Sequence, residues 1–178
     1  MTVTSTNNCA SQSTTSTFYI HVDPLPVATG SGSASICQGT AYTPSGFTAQ
    51  YGSVLWTENG QGSITGGASS LTPTYLSVAN DANSIITLTM TVTSTNTCSV
   101  TNEKSMRTFS LQVDPLPVAT INPLGAAICQ NGSYTLQMGE AQQQYGSVIW
   151  TKENAGGNIS NASSLTPTYA AHASDAGK

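Results

Sequence analysis

An internal repeat of about 90 residues places the strongest constraint on how this chain can fold. Three short segments recur nearly unchanged: VDPLPVAT at 22–29 and 113–120, YGSVLWT at 51–57 as YGSVIWT at 145–151, and ASSLTPTY at 68–75 and 162–169. The offset between copies grows from 89 residues for Met1 and Met90 to 94 residues for Trp56 and Trp150, which indicates small loop insertions. A unit of this length is the size of a small β-sandwich domain, so the chain is predicted to be a string of similar domains.

The repeats occur in a permuted order. Residues 1–24 match the C-terminal strands of a preceding repeat, residues 25–115 form one complete repeat, and residues 116–178 match the N-terminal part of a following repeat. Met1 corresponds to Met90, in the middle of a strand, and is predicted to be a cut within a repeating polymer. Each flanking segment is expected to expose an apolar face and unpaired strand edges. These are closed either by adjoining sequence of one long polypeptide or by strands of another chain.

The fold class follows from the alternation of apolar and polar residues. In residues 84–95 an apolar face alternates strictly with threonines, and the apolar residues are Ile86, Leu88, Met90 and Val92. Residues 108–113 alternate in the same way, with an echo at Phe18, Ile20 and Val22, and such period-2 patterns are typical of half-buried strands. Glycine-, serine- and asparagine-rich stretches between the strands are predicted turns. About seven short strands in one repeat predict an all-β protein of tandem immunoglobulin-like antiparallel β-sandwich domains.

The composition excludes several classes of partner. Only 7% of the residues are charged, the formal net charge is -4, and there are four basic residues in all. This leaves no cationic patch for phosphates, so neither nucleic acid nor an anionic membrane surface is an expected partner. No apolar stretch is long enough to predict membrane insertion of this segment.

The four cysteines occupy two positions of the repeat. Cys37 and Cys98 are predicted to form an intradomain disulfide, because the loop before the last strand is expected at the same pole as the start of the domain. Cys9 and Cys129 are then predicted to pair with a neighbouring repeat or chain. Free thiols and a zinc site are the alternatives, and the zinc site is disfavoured because no CxxC motif or histidine cluster accompanies the cysteines. A disulfide implies an oxidising, extracellular location.

The segment VDPLPVAT is predicted to be a stiff, extended linker between successive repeats, because it contains two prolines and no glycine. Its predicted linker residues are the aspartates that close the last strand and the prolines that follow them: Asp23, Pro24, Pro26, Asp114, Pro115 and Pro117.

No catalytic residue, metal ligand or cofactor is predicted, and the chain is predicted not to be an enzyme. His21 aligns with Gln112 and His172 aligns with Val78, so neither histidine is repeated. Trp56 and Trp150 are predicted core residues, since a tryptophan on the third strand of such a sandwich packs inside.

Two aspartate pairs recur between the repeats and leave an alternative open. Asp81 corresponds to Asp175, and Asp23 corresponds to Asp114. A weak interdomain calcium site is one interpretation of this recurrence, and turn capping is the favoured one.

The motif order ICQGTAYT, YGSVLWTENGQGSI, SSLTPTY and IITLTMTVTSTNTC, at residues 36–98, resembles the PKD-like or immunoglobulin-like tandem repeats of giant cell-surface and secreted adhesin proteins of Bacteroidetes-type bacteria. The resemblance extends over the whole chain, as one complete and two partial repeats. It implies a β-sandwich, a place outside the bacterial cell or on its surface, and a spacer or adhesive role, with no catalytic residues to transfer. We therefore expect a structural segment of a stalk, adhesin or filament. Its partners would be neighbouring copies of the repeat, and a carbohydrate-binding surface module that recognises a surface glycan is the alternative.

Overall fold

The protein is described by a computed structural model over residues 1–9, 12–153 and 155–177. These residues form two compact units. Unit one comprises Met1–Ala34, Ala41–Leu76 and Ile86–Leu111, and unit two comprises Ser35–Thr40, Ser77–Ile85 and Gln112–Lys178. The predicted division into segments 1–24, 25–115 and 116–178 stays a prediction.

Short strands account for nearly all of the regular structure, which confirms the predicted all-β, sandwich-like fold. In chain order they are β1 (Thr2–Thr4), β2 (Ser13–Thr15), β3 (Val27–Thr29), β4 (Gly32–Cys37), β5 (Ala41–Tyr42), β6 (Thr48–Gln50), β7 (Gly52–Glu58), β8 (Ser63–Gly66), β9 (Thr74–Leu76), β10 (Ser84–Ser94), β11 (Lys104–Asp114), β12 (Val118–Ile121), β13 (Ser133–Thr135), β14 (Ala141–Gln144), β15 (Asn158–Ser160) and β16 (Thr168–Ala170). Three short 3-10 turns lie at Ala79–Asp81, Thr97–Thr101 and Ala173–Asp175. No helix in the described part of the chain is long and apolar enough to cross a membrane.

The largest sheet has four strands in the order β4, β11, β10, β7. Strand β10 pairs antiparallel with β7, and this register sets Met90 directly opposite Trp56. Every second residue of β10 from Ile86 onward is buried, as the alternation predicts. Phe109, Leu111 and Val113 of β11 are also buried. The two central strands therefore supply most of the apolar side chains of this layer.

Strand β4 runs in the same direction as β11, as two contacts show. At the beginning of β4, Gly32 lies against the ring of Phe109 in the middle of β11, so closely that an added side chain would collide with it. At their ends the Gln38 amide donates to the Asp114 carbonyl at 2.8 Å. The first long strand of the repeat thus lies beside the last one with parallel polarity.

A second layer covers this sheet in unit one. It consists of the pair β3 and β6 and the three-stranded sheet β5, β9, β8. Tyr42 of β5 stacks on Phe109 of β11 with ring centroids 5.4 Å apart, and Phe47 meets Trp56 edge-on at 4.8 Å. Tyr75 of β9 is fully buried. Aromatic contacts between the layers therefore close the core of the sandwich.

Unit two repeats the strand order of this second layer and the register of its first strand pair. Strand β12 pairs with β14 so that Val118 faces Gln144, which is the register of Val27 and Gln50 between β3 and β6. The sheet β13, β16, β15 has the order of β5, β9, β8. The repeated sequence therefore encodes the same local pairing twice.

The four-stranded layer is different, since unit two contains no described counterparts of β4 and β7. The matching residues, 124–129 and 146–152, have the same sequence character but are not in strands. In the complete repeat β4 and β7 are held by β11 and β10, which lie between them. A strand exists through its ladder of hydrogen bonds, and without the two central strands the flanking segments have none.

Three expectations from the sequence are corrected. Strands β3 and β12 begin at Val27 and Val118, so VDPLPVAT is a linker only as far as its second proline. The glycine- and serine-rich stretch at 30–33 contains the start of β4 and is not wholly a turn. Phe18, Ile20 and Val22 lie outside strands and are largely exposed, because no adjacent sheet accepts their apolar face.

Replacing Met90 with alanine should destabilise the protein by about 2 to 5 kcal/mol, since Met90 is fully buried opposite Trp56 and the change leaves a cavity. Thr91→Val, one position away on the outer face of the same strand, should change the free energy of unfolding by no more than about 0.5 kcal/mol. Urea denaturation followed by far-UV circular dichroism measures both. Equal effects of the two substitutions would contradict the assignment of the buried face.

Candidate functional site: the open core of unit two

Trp150 is positioned in unit two by the bonds that position Trp56 in unit one. The Trp56 indole nitrogen donates to the Ser70 carbonyl at 2.9 Å, and that of Trp150 donates to the Ser164 carbonyl at 2.8 Å. Both tryptophan amides also bond at 2.8 Å to the alanine carbonyl two residues before those serines. The loop that holds the tryptophan is therefore formed in both repeats, whether or not the segment around it is a strand.

Corresponding residues of the complete repeat and of unit two differ in their exposure to solvent. Ala28, Trp56 and Tyr75 of the complete repeat are exposed by 1, 2 and 0%. Their counterparts in unit two are Ala119, which is exposed, and Trp150 and Tyr169, which are half-buried. The difference arises because β10 and β11 cover these positions in the complete repeat. Unit two thus presents one half of a sandwich core without its cover.

The uncovered core forms two depressions within unit two. One is apolar, has a volume of about 490 Å³ and is lined by residues that include Val118, Ala141, Trp150 and Leu165. The other has a volume of about 680 Å³ and is lined both by aliphatic side chains such as Ile121 and Ile128 and by polar ones such as Glu140 and His172. In a sheet the central pair β10 and β11 would lie between the two flanking segments. The arrangement can therefore accept apolar side chains from a pair of strands.

A tyrosine–aspartate network closes one edge of the same half-sandwich. The Tyr169 hydroxyl donates to Asp175 Oδ2 at 2.6 Å, and the Gly157 and His172 amides donate to the same oxygen at 2.9 and 2.8 Å. The Tyr169 bond is the main cause that lowers the pKa of the Asp175 carboxyl, with the backbone donors adding to it. The bond to Asp175 and burial raise the pKa of Tyr169. This network was not predicted, although tyrosine followed six residues later by aspartate recurs at 75 and 81.

The recurring aspartates serve as turn caps. Asp81 accepts the Val78 amide at 3.0 Å, and Asp175 accepts the His172 amide in the equivalent turn. Among the described residues, no group of three or more histidines, cysteines and acids is arranged to hold a metal ion. Asp23 accepts the Thr97 amide at 3.1 Å and the Thr97 hydroxyl, which together lower the pKa of its carboxyl. The favoured interpretation as turn caps therefore describes the bonds of Asp81 and Asp175, whereas Asp23 bonds to a turn 74 residues away.

The two histidines take part in local contacts at the surface. His21 Nε2 lies 3.0 Å from Asp23 Oδ1 and the ring is largely exposed. His172 Nδ1 accepts the Ser174 amide at 3.2 Å and lies 2.9 Å from the Ser174 hydroxyl, at the start of the last 3-10 turn. These bonds shape the local chain around each histidine.

The predicted pairing of Cys37 with Cys98 is not present, and all four cysteines carry free thiols. Cys37 ends β4, next to the Gln38 bond with Asp114, the last residue of β11. Cys98 lies in the 3-10 turn that precedes Lys104, the first residue of β11. A strand of this length extends for about 30 Å, whereas a disulfide joins Cα atoms about 4.4 to 6.8 Å apart. Strand β4 carries Cys37 away from the start of the domain, where the sequence placed it, and the disulfide with Cys98 stays a prediction.

The chain matches no protein-family model, and no curated protein matches it. The incomplete repeat in unit two is therefore compared with the complete repeat of the same chain.

Asp175→Asn should destabilise the edge of unit two and make the stability of this edge less dependent on pH in acid. Because the folded-state pKa of Asp175 is lowered, its ionised form stabilises the fold above the unfolded pKa of about 3.9, and this stabilisation is lost as the pH falls below that value. The protection of the Gly157 amide against hydrogen exchange, corrected for the intrinsic rate, should decrease below about pH 4 in the parent chain.

The variant should show lower protection at pH 7 and little further loss in acid. Asp114→Asn changes an exposed aspartate of the same unit and is the matched control. This variant should give the same pH profile of Gly157 amide protection as the parent chain. Indistinguishable pH profiles for Asp175→Asn and the parent chain would contradict this role of the carboxylate.

Proposed function

We propose that this chain is a structural segment of a long extracellular repeat protein or fibre, in which the open core of unit two is closed by a pair of strands of the β10–β11 type. One observation carries the proposal. Ala119, Trp150 and Tyr169 are uncovered, while the same positions of the complete repeat are buried by β10 and β11. Strands β10 and β11 therefore indicate which side chains would cover the open core of unit two.

Residues 1–22 have the sequence of such a strand pair. They match residues 90–113, and strands β1 and β2 pair as an antiparallel hairpin. The Ser5 amide bonds to the Gln12 carbonyl at 2.9 Å, as the Ser94 amide bonds to the Glu103 carbonyl at 3.0 Å. A side-chain bond to an asparagine two residues later follows each serine, at Asn7 and Asn96. The first strand therefore ends in the same way in both places.

The apolar face of this N-terminal hairpin has no cover. Met1, Val3, Phe18 and Val22 are exposed, and their counterparts in the complete repeat include Met90 and Val92, which are fully buried. One end of the chain thus presents an apolar strand pair, and unit two presents the core that such a pair covers. We take the occupant to be residues 1–22 of a second copy, added to unit two as strands.

Strand addition of this kind gives an open polymer. The donor hairpin and the acceptor core are different surfaces, so the contact is heterologous and each added copy offers a new acceptor. The low charge, with a formal net charge of -4 over 178 residues, opposes association only weakly. A head-to-tail chain of sandwich domains suits a stalk, adhesin or filament. In the complete repeat Trp56 and Phe109 both pack against Phe47 in the core, so these three rings are not available to stack on a glycan.

The proposal predicts self-association that a matching peptide reverses. Light scattering coupled to size exclusion should show masses rising with concentration in multiples of 18.3 kDa. A synthetic peptide of residues 84–113, in excess, should return the protein to single copies. It should also shift the Trp150 fluorescence to shorter wavelength, because the peptide buries this half-exposed side chain.

The same peptide carrying Met90→Asp and Leu111→Asp is the matched control and should have neither effect, since both changes place a charge in the core. A single 18.3 kDa species at every concentration, with fluorescence unchanged by the peptide, would refute the proposal. A single species whose fluorescence still shifts would retain strand completion and exclude the second copy as its source.

A further inference from the structure

Cys37 lies beside the point where the complete repeat ends. The residue after it, Gln38, donates its amide to the Asp114 carbonyl at 2.8 Å, and Asp114 is the last residue of β11. The Thr40 hydroxyl and amide both bond to the Cys37 carbonyl, at 2.6 and 3.2 Å. Cys37 is exposed. Its thiol is therefore fixed next to the Asp114–Pro115 linker and open to an incoming group.

Cys98 lies beside the point where the complete repeat begins. Its sulfur is 3.7 Å from the Asp23 carbonyl oxygen and 3.9 Å from that of Pro24. The turn is anchored to this linker because the Asn96 side chain donates to the Pro24 carbonyl at 2.8 Å and the Thr97 amide donates to Asp23. Cys98 thus contacts the linker that enters its repeat, whereas Cys37 is beside the linker that leaves it.

The two linkers are the same positions of the repeat, since Asp23–Pro24 corresponds to Asp114–Pro115. At any junction the repeat that ends there brings the amide of the residue after its Cys37-type cysteine, equivalent to Gln38, to the aspartate carbonyl. The repeat that begins there brings the sulfur of its Cys98-type cysteine to the same oxygen. We propose that these two cysteines form a disulfide across each junction between successive repeats. The bond requires Cα atoms about 4.4 to 6.8 Å apart, and the shared carbonyl oxygen brings both cysteines to one junction.

In an assembly of this chain the proposal assigns every cysteine. Cys9 is the counterpart of Cys98, and its amide bonds to Asn7 Oδ1 at 2.9 Å as that of Cys98 bonds to Asn96 Oδ1 at 3.0 Å. When residues 1–22 of a second copy complete unit two, its Cys9 meets Cys37. By the same repeat relation Cys129, the counterpart of Cys37, meets Cys98 of the second copy. This inference rests on the proposed function, because it needs a following repeat.

The bond forms by exchange with an external disulfide. One cysteine thiolate attacks the external disulfide, the mixed disulfide is attacked by the second thiolate, and two external thiols leave. The two cysteines lose two electrons and two protons, and the external disulfide takes them up. Oxidised glutathione supplies this oxidant in the test below.

A fusion of two copies, joined by the sequence Ile-Ile-Thr-Leu-Thr of residues 85–89, tests the pairing within one folded chain, because this linker restores the spacing between Lys178 and Met1 of the next copy. All cysteines are changed to serine except two. The junction variant keeps Cys37 of the first copy and Cys9 of the second, and the control variant keeps Cys37 and Cys98 of the first copy. Free thiols are counted after equilibration in a buffer of reduced and oxidised glutathione.

The junction variant should lose both free thiols and the control variant should keep both. Trp150 fluorescence of the first copy reports completion of unit two independently of the cysteines. Buried Trp150 with both thiols still free in the junction variant overturns the disulfide and leaves the proposed function standing. An exposed Trp150 in the fusion refutes strand completion, and the disulfide falls with it. Loss of the free thiols in the control variant would show that Cys37 pairs with Cys98 within one repeat, and this result also overturns the proposal.

Discussion

The pairing of β10 with β7, which sets Met90 against Trp56, is the contact on which the rest of the sandwich depends. Strand β10 contributes four fully or nearly fully buried side chains, and with β11 it occupies the centre of the four-stranded sheet. Where this pair is present, segments on both sides of it become strands β4 and β7. Where it is not, segments of the same sequence character carry no ladder. Sheet formation in this repeat is therefore cooperative around its two central strands.

The two layers of the repeat differ in whether each one forms without the other. The layer of β12 to β16 forms in unit two with the register of its counterpart, and it keeps the indole bond of Trp150 and the Tyr169–Asp175 network. In the proposed assembly it would be a preformed acceptor. A strand pair that entered it would bear the cost of ordering itself and the two flanking segments, but not the cost of ordering this layer. Such preorganisation would favour selective capture of the matching hairpin.

Local patterns in the sequence predicted those features that a strand determines by itself. The buried face of β10 follows from period-2 alternation, and it is found at Met90 and Val92. The same alternation at Phe18 and Val22 predicted a strand that is not formed there, because alternation specifies which face is apolar but not whether a neighbouring sheet is there to pair with it. The position of Cys37 differs from the expected one for a related reason. The direction in which β4 runs beside β11 is a tertiary property, and no local pattern around Cys37 encodes it. The Tyr169–Asp175 bond could have been predicted from the sequence, because tyrosine is followed six residues later by aspartate in both repeats.

The parallel alignment of β4 with β11 determines how the repeat responds to tension. The chain enters the repeat shortly before Gly32 and leaves it after Asp114, so its two ends pull on neighbouring strands of one sheet. Because these strands point the same way, a pull on the ends slides one along the other and loads their hydrogen bonds together in shear. An antiparallel arrangement would let the bonds open one at a time, as in a zipper. A pull applied to the two ends of the complete repeat is therefore resisted by these hydrogen bonds together.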